Sequence, residues 1–312
     1  MDKDQKIAVV DLGTNTFHLL IVEVSQEGNI TTLFKEKIPV KIGNGSLKHN
    51  TIAPDAYLRG IDAMNTHAKT IKEFQTNQVF AFATSAIRST QNGVQFVDEV
   101  YAKTGISIQI ISGDQEALYI YEGVKAFCNL ANGPHLIMDI GGGSSEFILC
   151  DDKQVLWKKS YDLGVSRLKQ YFQPEDPLKE TTIQKIQAYL LDELEELFNA
   201  CKQYSPLVKL IGSSGAFESF AMMIEAQKEN EFHPEKGYNF NLQELTSMHQ
   251  FLLKSSQEER LATPGLVEMR AEFITFGSLL TQVVINQLDI KHLELSDFAL
   301  KEGVLQTILK HQ

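Results

Sequence analysis

The chain is short of positive charge: 29 lysines and arginines stand against 40 aspartates and glutamates in 312 residues, a formal net charge of −11. That balance argues against broad nucleic-acid binding, which rests on basic side chains neutralising backbone phosphates. It also disfavours a long polyanionic ligand without a local basic track. Cysteine is scarce. Cys128, Cys150 and Cys201 are odd in number and far apart, so they form neither a disulfide framework nor a CxxC pair. Their apolar or helical settings read as buried free thiols. No apolar run is long enough to span a bilayer, and the first strand begins without a signal-peptide pattern. The expected setting is cytoplasmic, with no membrane partner. The eight histidines lack close metal-ligand spacing.

What the sequence does have is a glycine-rich corner between two apolar strands. Residues 136–150 read LIMDIGGGSSEFILC: an apolar run, Asp139, then Gly141, Gly142 and Gly143, then Ser144, Ser145 and Glu146 before a second apolar run. Strand, tight turn, strand is the physical reading. Glycines there can take φ > 0 and lack a Cβ, so another group can approach the bare backbone. Such a turn aims several N–H groups into one concavity that suits a phosphate, and Asp139 is placed to hold a metal against it. A plain hairpin turn is the simpler account of one such stretch. Residues 7–24, however, repeat the design with Asp11, Gly13, Thr14, Asn15 and Thr16. Two such hairpins would grip an oligophosphate from both sides.

Taken in order, strands are expected over 5–11, 16–24 and 29–42, the last running into a loop from Lys41 to Ser46. Pro54 opens a helix to Phe74 with Leu58, Ile61, Met64, Ala68 and Ile71 on its buried face. A buried strand over 78–83 ends in Thr84, Ser85 and Arg88. An arginine beside hydroxyls at a strand end reads either as a phosphate fork or as a solvated surface side chain. A helix over 92–103 and a strand over 106–111 lead to Ser112 and Gln115, which have capping-box spacing. Glu116 in that first turn either complements the helix dipole or projects as a general base. The second half repeats the plan. A third strand over 153–161 precedes Gly164 and a short helix carrying Arg167, and one amphipathic helix covers 181–203. A strand over 207–211 ends in Gly212, Ser213, Ser214 and Gly215, a generic anion-site design. Residues 227–265 are polar and irregular, and a helix over 268–288, a strand over 291–295 and a helix over 297–310 close the chain.

Two halves with matching Asp-Gly hairpins resemble the actin, sugar-kinase and heat-shock ATPase superfamily. Within it the chain is similar to the exopolyphosphatases and guanosine pentaphosphate phosphohydrolases, through DLGTNTFHLLIVEV, ATSAIRST, ISGDQEALYIYEGV, MDIGGGSSEF, DLGVSRL, GSSGAFES and LSDFALKEGVL in family order. The resemblance implies an α/β fold of two ribonuclease-H-like domains, each a mixed five-stranded sheet with flanking helices and an active-site cleft between them. The expected division is 1–127 and 128–312, with the terminal helix 297–310 packing back on the first domain. By the same matching, Glu116 falls on the catalytic base and Glu146 on the second essential acid. Asp139 with Gly141 to Ser145 forms one phosphate hairpin, Thr14 and Asn15 lie on the other, and Thr84, Ser85 and Arg88 line the phosphate path, with Gly212, Ser213 and Gly215 as a further anion loop. Mg²⁺ (or Mn²⁺) is expected near Asp139, Glu146 and Asp11. The family often has two acids where Gln115-Glu116 stands, an Arg where Lys301 stands and a Glu-Arg pair at Met269-Arg270. The implied activity is hydrolysis of a terminal phosphoanhydride of polyphosphate, short chain preferred, or of guanosine pentaphosphate. The alternatives are a small-molecule kinase of the same superfamily and a non-catalytic phosphate or alarmone sensor. A homodimer is compatible with the chain.

Overall fold

Apolar strands at the start of each half set the architecture, because runs buried on both faces need cover on both sides. The computed structural model describes residues 5–45 and 50–310. Ser46, the end of the expected loop, lies outside them. The chain divides into two units: the described residues of Met1–Glu116 with Thr307–Gln312, and Ala117–Gln306.

In the first unit, β1 (Gln5–Leu12), β2 (Thr16–Val24) and β3 (Ile30–Pro39) form an antiparallel meander, followed by α1 (Pro54–Glu73), β4 (Gln78–Ala83), α2 (Ser85–Arg88), α3 (Gly93–Thr104), β5 (Ile108–Ile110) and the start of α4 (Gly113–Phe127). The strand order is β3-β2-β1-β4-β5, with β4 and β5 parallel to β1. Its core gathers Val10, Leu12, Phe17, Ile21, Met64 and Phe96. Leu58 departs from the expected helix face: it is exposed, and the buried stripe of α1 is Ala56, Gly60, Ile61, Ala63, Met64, His67 and Ile71. The stripe includes the small residues Ala56 and Gly60, and at Gly60 the helix meets α3: a Cβ there would lie 2.8 Å from the Phe96 ring.

The second unit carries β6 (His135–Ile140), β7 (Ser145–Cys150) and β8 (Val155–Tyr161), then α5 (Val165–Phe172), α6 (Glu180–Glu193), α7 (Glu195–Gln203), β9 (Leu210–Ser213), α8 (Ser214–Gln227), β10 (Tyr238–Asn239), α9 (Leu242–Lys254), α10 (Gln257–Leu261), α11 (Glu268–Ala271), α12 (Ile274–Gln287), β11 (Leu293–Leu295) and the first part of α13 (Leu300–Lys310), whose residues from Thr307 belong to the first unit. Its order, β10-β11-β9-β6-β7-β8, repeats the first sheet and adds a sixth, two-residue strand to the five expected. Tyr238 and Asn239 pair antiparallel with Leu295 and Glu294, closing that edge. The helix expected over 181–203 breaks at the buried Leu194, whose φ of −94° and ψ of 9° leave the helical region. The one expected over 268–288 breaks similarly at Phe273. Between them, α9 and α10 order much of the stretch that reads as irregular, with Asn241 and a Ser256–Glu259 capping box at their starts. All three cysteines are free and buried, and burial pushes each thiol up to about 12. That keeps them protonated and inert. Among the described residues no helix is long and apolar enough to cross a membrane.

The EGV and KEGV segments are explained by packing. An added Cβ on Gly303 of α13 would sit 1.6 Å from the Tyr119 carbonyl oxygen of α4, and one on Gly123 would sit 2.1 Å from that of Ala299. Glycine in a helix costs about 1 kcal/mol against alanine, so an unpacked helix would gain from Gly303→Ala. Here overpacking, typically about 1–3 kcal/mol, outweighs that gain. We expect Gly303→Ala to lower the thermal midpoint measured by circular dichroism; a midpoint raised above wild type would refute the close crossing.

Candidate functional site

Register brings the expected residues of each unit to one end of its sheet. In the first unit Leu12 pairs with Ala83 and Ala83 with Ile110, so β1, β4 and β5 end in one row. The 13–16 turn, the Thr84–Arg88 segment and the start of α4 therefore emerge together, at the carboxyl edge where open α/β sheets bind ligands. Gly13 N–H donates to the Thr16 carbonyl at 3.1 Å, and the Asn15 carbonyl accepts from Val40 and Lys41 N–H at 2.9 Å each. Thr14 is buried, and its carbonyl accepts from Gly43 N–H. Thr84 is held by Leu12, whose carbonyl accepts from the Thr84 N–H. Ser85 is buried, with an Oγ that has no hydrogen-bond partner among the described residues.

Arg88 is not a solvated surface side chain. Its Nη1 donates to the Ile111 carbonyl at 2.9 Å and to Glu116 Oε2 at 3.0 Å, while its Nε and Nη2 donate to nothing among the described residues. Glu116 is 7% exposed, held against that guanidinium in the first turn of α4, where the Ser112 Oγ accepts from Gln115 N–H at 3.2 Å. The ion pair fixes Glu116 at the strand ends.

In the second unit one row crosses four strands. Ser213 of β9, Asp139 of β6, Glu146 of β7 and Ser160 of β8 are successive register partners. Residues in one row face the same side. Accordingly Ser213 Oγ donates to Asp139 Oδ2 at 2.5 Å and Ser160 Oγ to Glu146 Oε1 at 2.7 Å. Both carboxylates are buried, Asp139 to 8% exposure and Glu146 to 1%. Burial pushes the Asp139 carboxyl above the ordinary 3.8, against the opposing pull of the Ser213 and Ser214 hydroxyls and the Lys301 charge. The matching row of the first unit is Phe82, Asp11, His18 and Lys37, with no second carboxylate.

The glycine turn follows this row directly. Gly141 N–H donates to the Ser144 carbonyl at 3.0 Å. Positive φ is not what the turn uses, since neither Gly13 nor Gly141 adopts it; the missing Cβ is. A Cβ on Gly164 would lie 2.3 Å from the carbonyl carbon of Gly142, so the start of α5 lies directly against the turn. Its N–H groups take the turn's carbonyls: Val165 to Gly141 at 3.0 Å, Ser166 and Arg167 to Gly142 at 2.9 and 3.2 Å, and Arg167 Nε to Gly143 at 2.9 Å. The amide N–H groups of Gly142, Gly143 and Ser144 have no acceptor among the described residues. Ser145 Oγ, by contrast, donates to the Leu163 carbonyl and ties the strand to the following loop.

The Gly212–Gly215 loop is more crowded than its sequence suggests. A Cβ on Gly212 would meet the Phe217 ring at 2.3 Å, and one on Gly215 the Arg270 guanidinium at 2.4 Å. Arg270 in turn donates to Ser219 Oγ and Glu218 Oε2. Arg270 stood in the sequence only as a departure from a pattern, because its contact with Gly215 spans 55 positions that no local spacing links. No group of three or more His, Cys, Asp or Glu side chains among the described residues is gathered to hold a metal. Asp139 and Glu146 are nonetheless an apt pair. Like charges directly opposite on two strands repel, each carboxylate is oriented by a serine hydroxyl, and Mg²⁺ is often held by one or two carboxylates with substrate phosphates.

The sequence model of the Ppx/GppA phosphatase family matches residues 20–312. A crystal structure of an exopolyphosphatase from Cytophaga hutchinsonii superposes with a TM-score of 0.95 at 33% identity, covering 98% of each chain. An Aquifex aeolicus Ppx/GppA family member gives 0.82 at 23% identity over 99% of each chain, and an exopolyphosphatase-like protein 0.88 at 22% over 98% of each.

A buried carboxyl with a raised pKa binds its proton more tightly in the native than in the unfolded state. Stability is therefore lost as pH rises from about the ordinary 3.8 through the native value. We expect metal-free Asp139→Asn, which still accepts from Ser213, to melt higher than wild type at pH 7 and to lose that advantage near pH 4. Equal midpoints at pH 7 by scanning calorimetry would contradict the burial cost.

Proposed function

We propose that this chain, which belongs to the Ppx/GppA phosphatase family, hydrolyses the terminal phosphoanhydride of short inorganic polyphosphate, guanosine pentaphosphate or both. The observation that carries the reading is the second-unit row of two buried carboxylates set beside three amide N–H groups without acceptors. Fixed donors and a charge-neutralising pair suit phosphoryl transfer, which demands positioning and electrostatics above covalent chemistry.

In the second unit the Gly142, Gly143 and Ser144 N–H groups bind phosphate oxygens; in the first, the 13–16 turn, Thr84, Ser85 and Arg88 Nε and Nη2 are the groups suited to phosphate oxygens. Glu116, fixed by Arg88 Nη1, orients the attacking water and takes its proton at a carboxylate oxygen. The water oxygen bonds to the terminal phosphorus while the bridging P–O bond breaks, and the leaving phosphate keeps the electron pair. Asp139 and Glu146 are the residues that would hold Mg²⁺ (or Mn²⁺). When bound, the ion neutralises charge on the phosphate oxygens.

Phosphate release from tripolyphosphate and from guanosine pentaphosphate, with and without Mg²⁺, tests the reading. We expect release that needs the metal, a loss of roughly 10²–10⁴ in kcat for Glu116→Gln with substrate still bound, and a Mg²⁺-induced rise in thermal midpoint that Asp139→Asn abolishes. No release from either substrate, or an undiminished Glu116→Gln, would remove the proposal. Phosphate passing from ATP to an added acceptor would assign a kinase instead.

A further inference from the structure

The three acceptor-free N–H groups of the glycine turn each share a peptide plane with a carbonyl that α5 captures. In a trans peptide the N–H and C=O point in opposite directions, so whatever fixes the carbonyl aims the N–H. The Gly142 N–H is aimed by the Gly141 carbonyl on Val165 N–H, and the Gly143 N–H by the Gly142 carbonyl on Ser166 and Arg167 N–H. The Ser144 N–H is aimed by the Gly143 carbonyl, and that carbonyl alone is held by a side chain, through Arg167 Nε at 2.9 Å. Asp162 Oδ1 braces the same guanidinium, 3.1 Å from Nη2. In the first hairpin the Thr14 and Asn15 carbonyls are taken by backbone N–H groups of Val40, Lys41 and Gly43.

We propose that Arg167 is a positioning residue for phosphate, locking the Gly143–Ser144 peptide with its N–H side toward the anion. The inference rests on the hydrolase reading of the same site. Gly143 carries no Cβ to resist rotation of that peptide, and a rotated peptide would turn its carbonyl oxygen to the phosphate, replacing attraction with repulsion. The guanidinium acts here through one hydrogen bond to a backbone oxygen, so the donor matters and its charge does not.

That distinction sets the experiment. Tripolyphosphate binding is measured by calorimetry, beside KM and kcat, for wild type, Arg167→Met and Arg167→Gln. Methionine keeps the length without a donor; glutamine keeps a neutral amide N–H within reach of the Gly143 carbonyl. We expect Arg167→Met to weaken binding and raise KM about tenfold, the scale of one lost hydrogen bond to a charged group, with kcat changed less. Arg167→Gln should recover most of both. Wild-type affinity in Arg167→Met overturns the proposal. So does an Arg167→Gln as weak as the methionine variant, which would mean that the cation itself contacts phosphate. Where Arg167→Met does not fold, the glutamine variant decides alone: near-wild-type binding supports the lock and loss refutes it. A wild-type protein that neither binds nor cleaves tripolyphosphate would instead defeat the underlying hydrolase reading, a result seen before any variant is compared.

Discussion

Two ionised carboxylates forced into adjacent places on a sheet, away from water, need either protons or a cation, and much of the second unit's construction answers that need. Asp139 and Glu146 face each other because β6 and β7 pair in the register that the glycine turn sets. A slip of one residue would send one of them to the opposite face. Serines on the two outer strands of the row hold one oxygen of each carboxylate. The arrangement carries the burial cost of two carboxylates on one face, a cost that a site placed for function can retain.

The turn beside the row solves a different problem. A bare stretch of backbone carries as many carbonyls as amides, and an anion is repelled by the former. Both units deal with it alike: the segment after the third strand returns and donates N–H groups to the hairpin's carbonyls. In the first unit a loop from Val40 to Gly43 does this, and in the second the first turn of α5. The two hairpins are therefore copies in backbone logic while differing in side chains, since only the second places a carboxylate opposite its aspartate. Glu116 and Arg88 give the first unit its chemical character instead, by an ion pair between a helix start and a strand end.

The mixed sheets, the order of elements and the placing of most candidate residues at strand ends were legible in the sequence because they follow from short-range signals. Apolar runs, Asp-Gly corners and capping residues each announce themselves within a few positions, and duplication supplied each signal twice. Where the reading failed, the deciding partner was distant. Leu58 belongs to the apolar spacing of α1 but points to solvent, while Gly60, with no Cβ, lets the helix approach the Phe96 ring of α3. The expected single helices over 181–203 and 268–288 break at Leu194 and Phe273, hydrophobic residues that packing holds out of helical geometry without any local stop signal.

From the sequence alone came the strand–turn–strand corners, the identity of the acids and the arginine beside the hydroxyls, since each is a matter of residue type and neighbours along the chain. The tertiary structure alone decided which groups share a row, that Ser213 and Ser160 orient the two carboxylates, and that Arg88 is bound to Glu116. It also decided that Gly164 and Gly303 are places where backbone meets backbone. The reason is one of range: a turn is closed by atoms three residues apart, whereas a sheet row or a helix crossing joins residues that only the folded chain brings within hydrogen-bond distance.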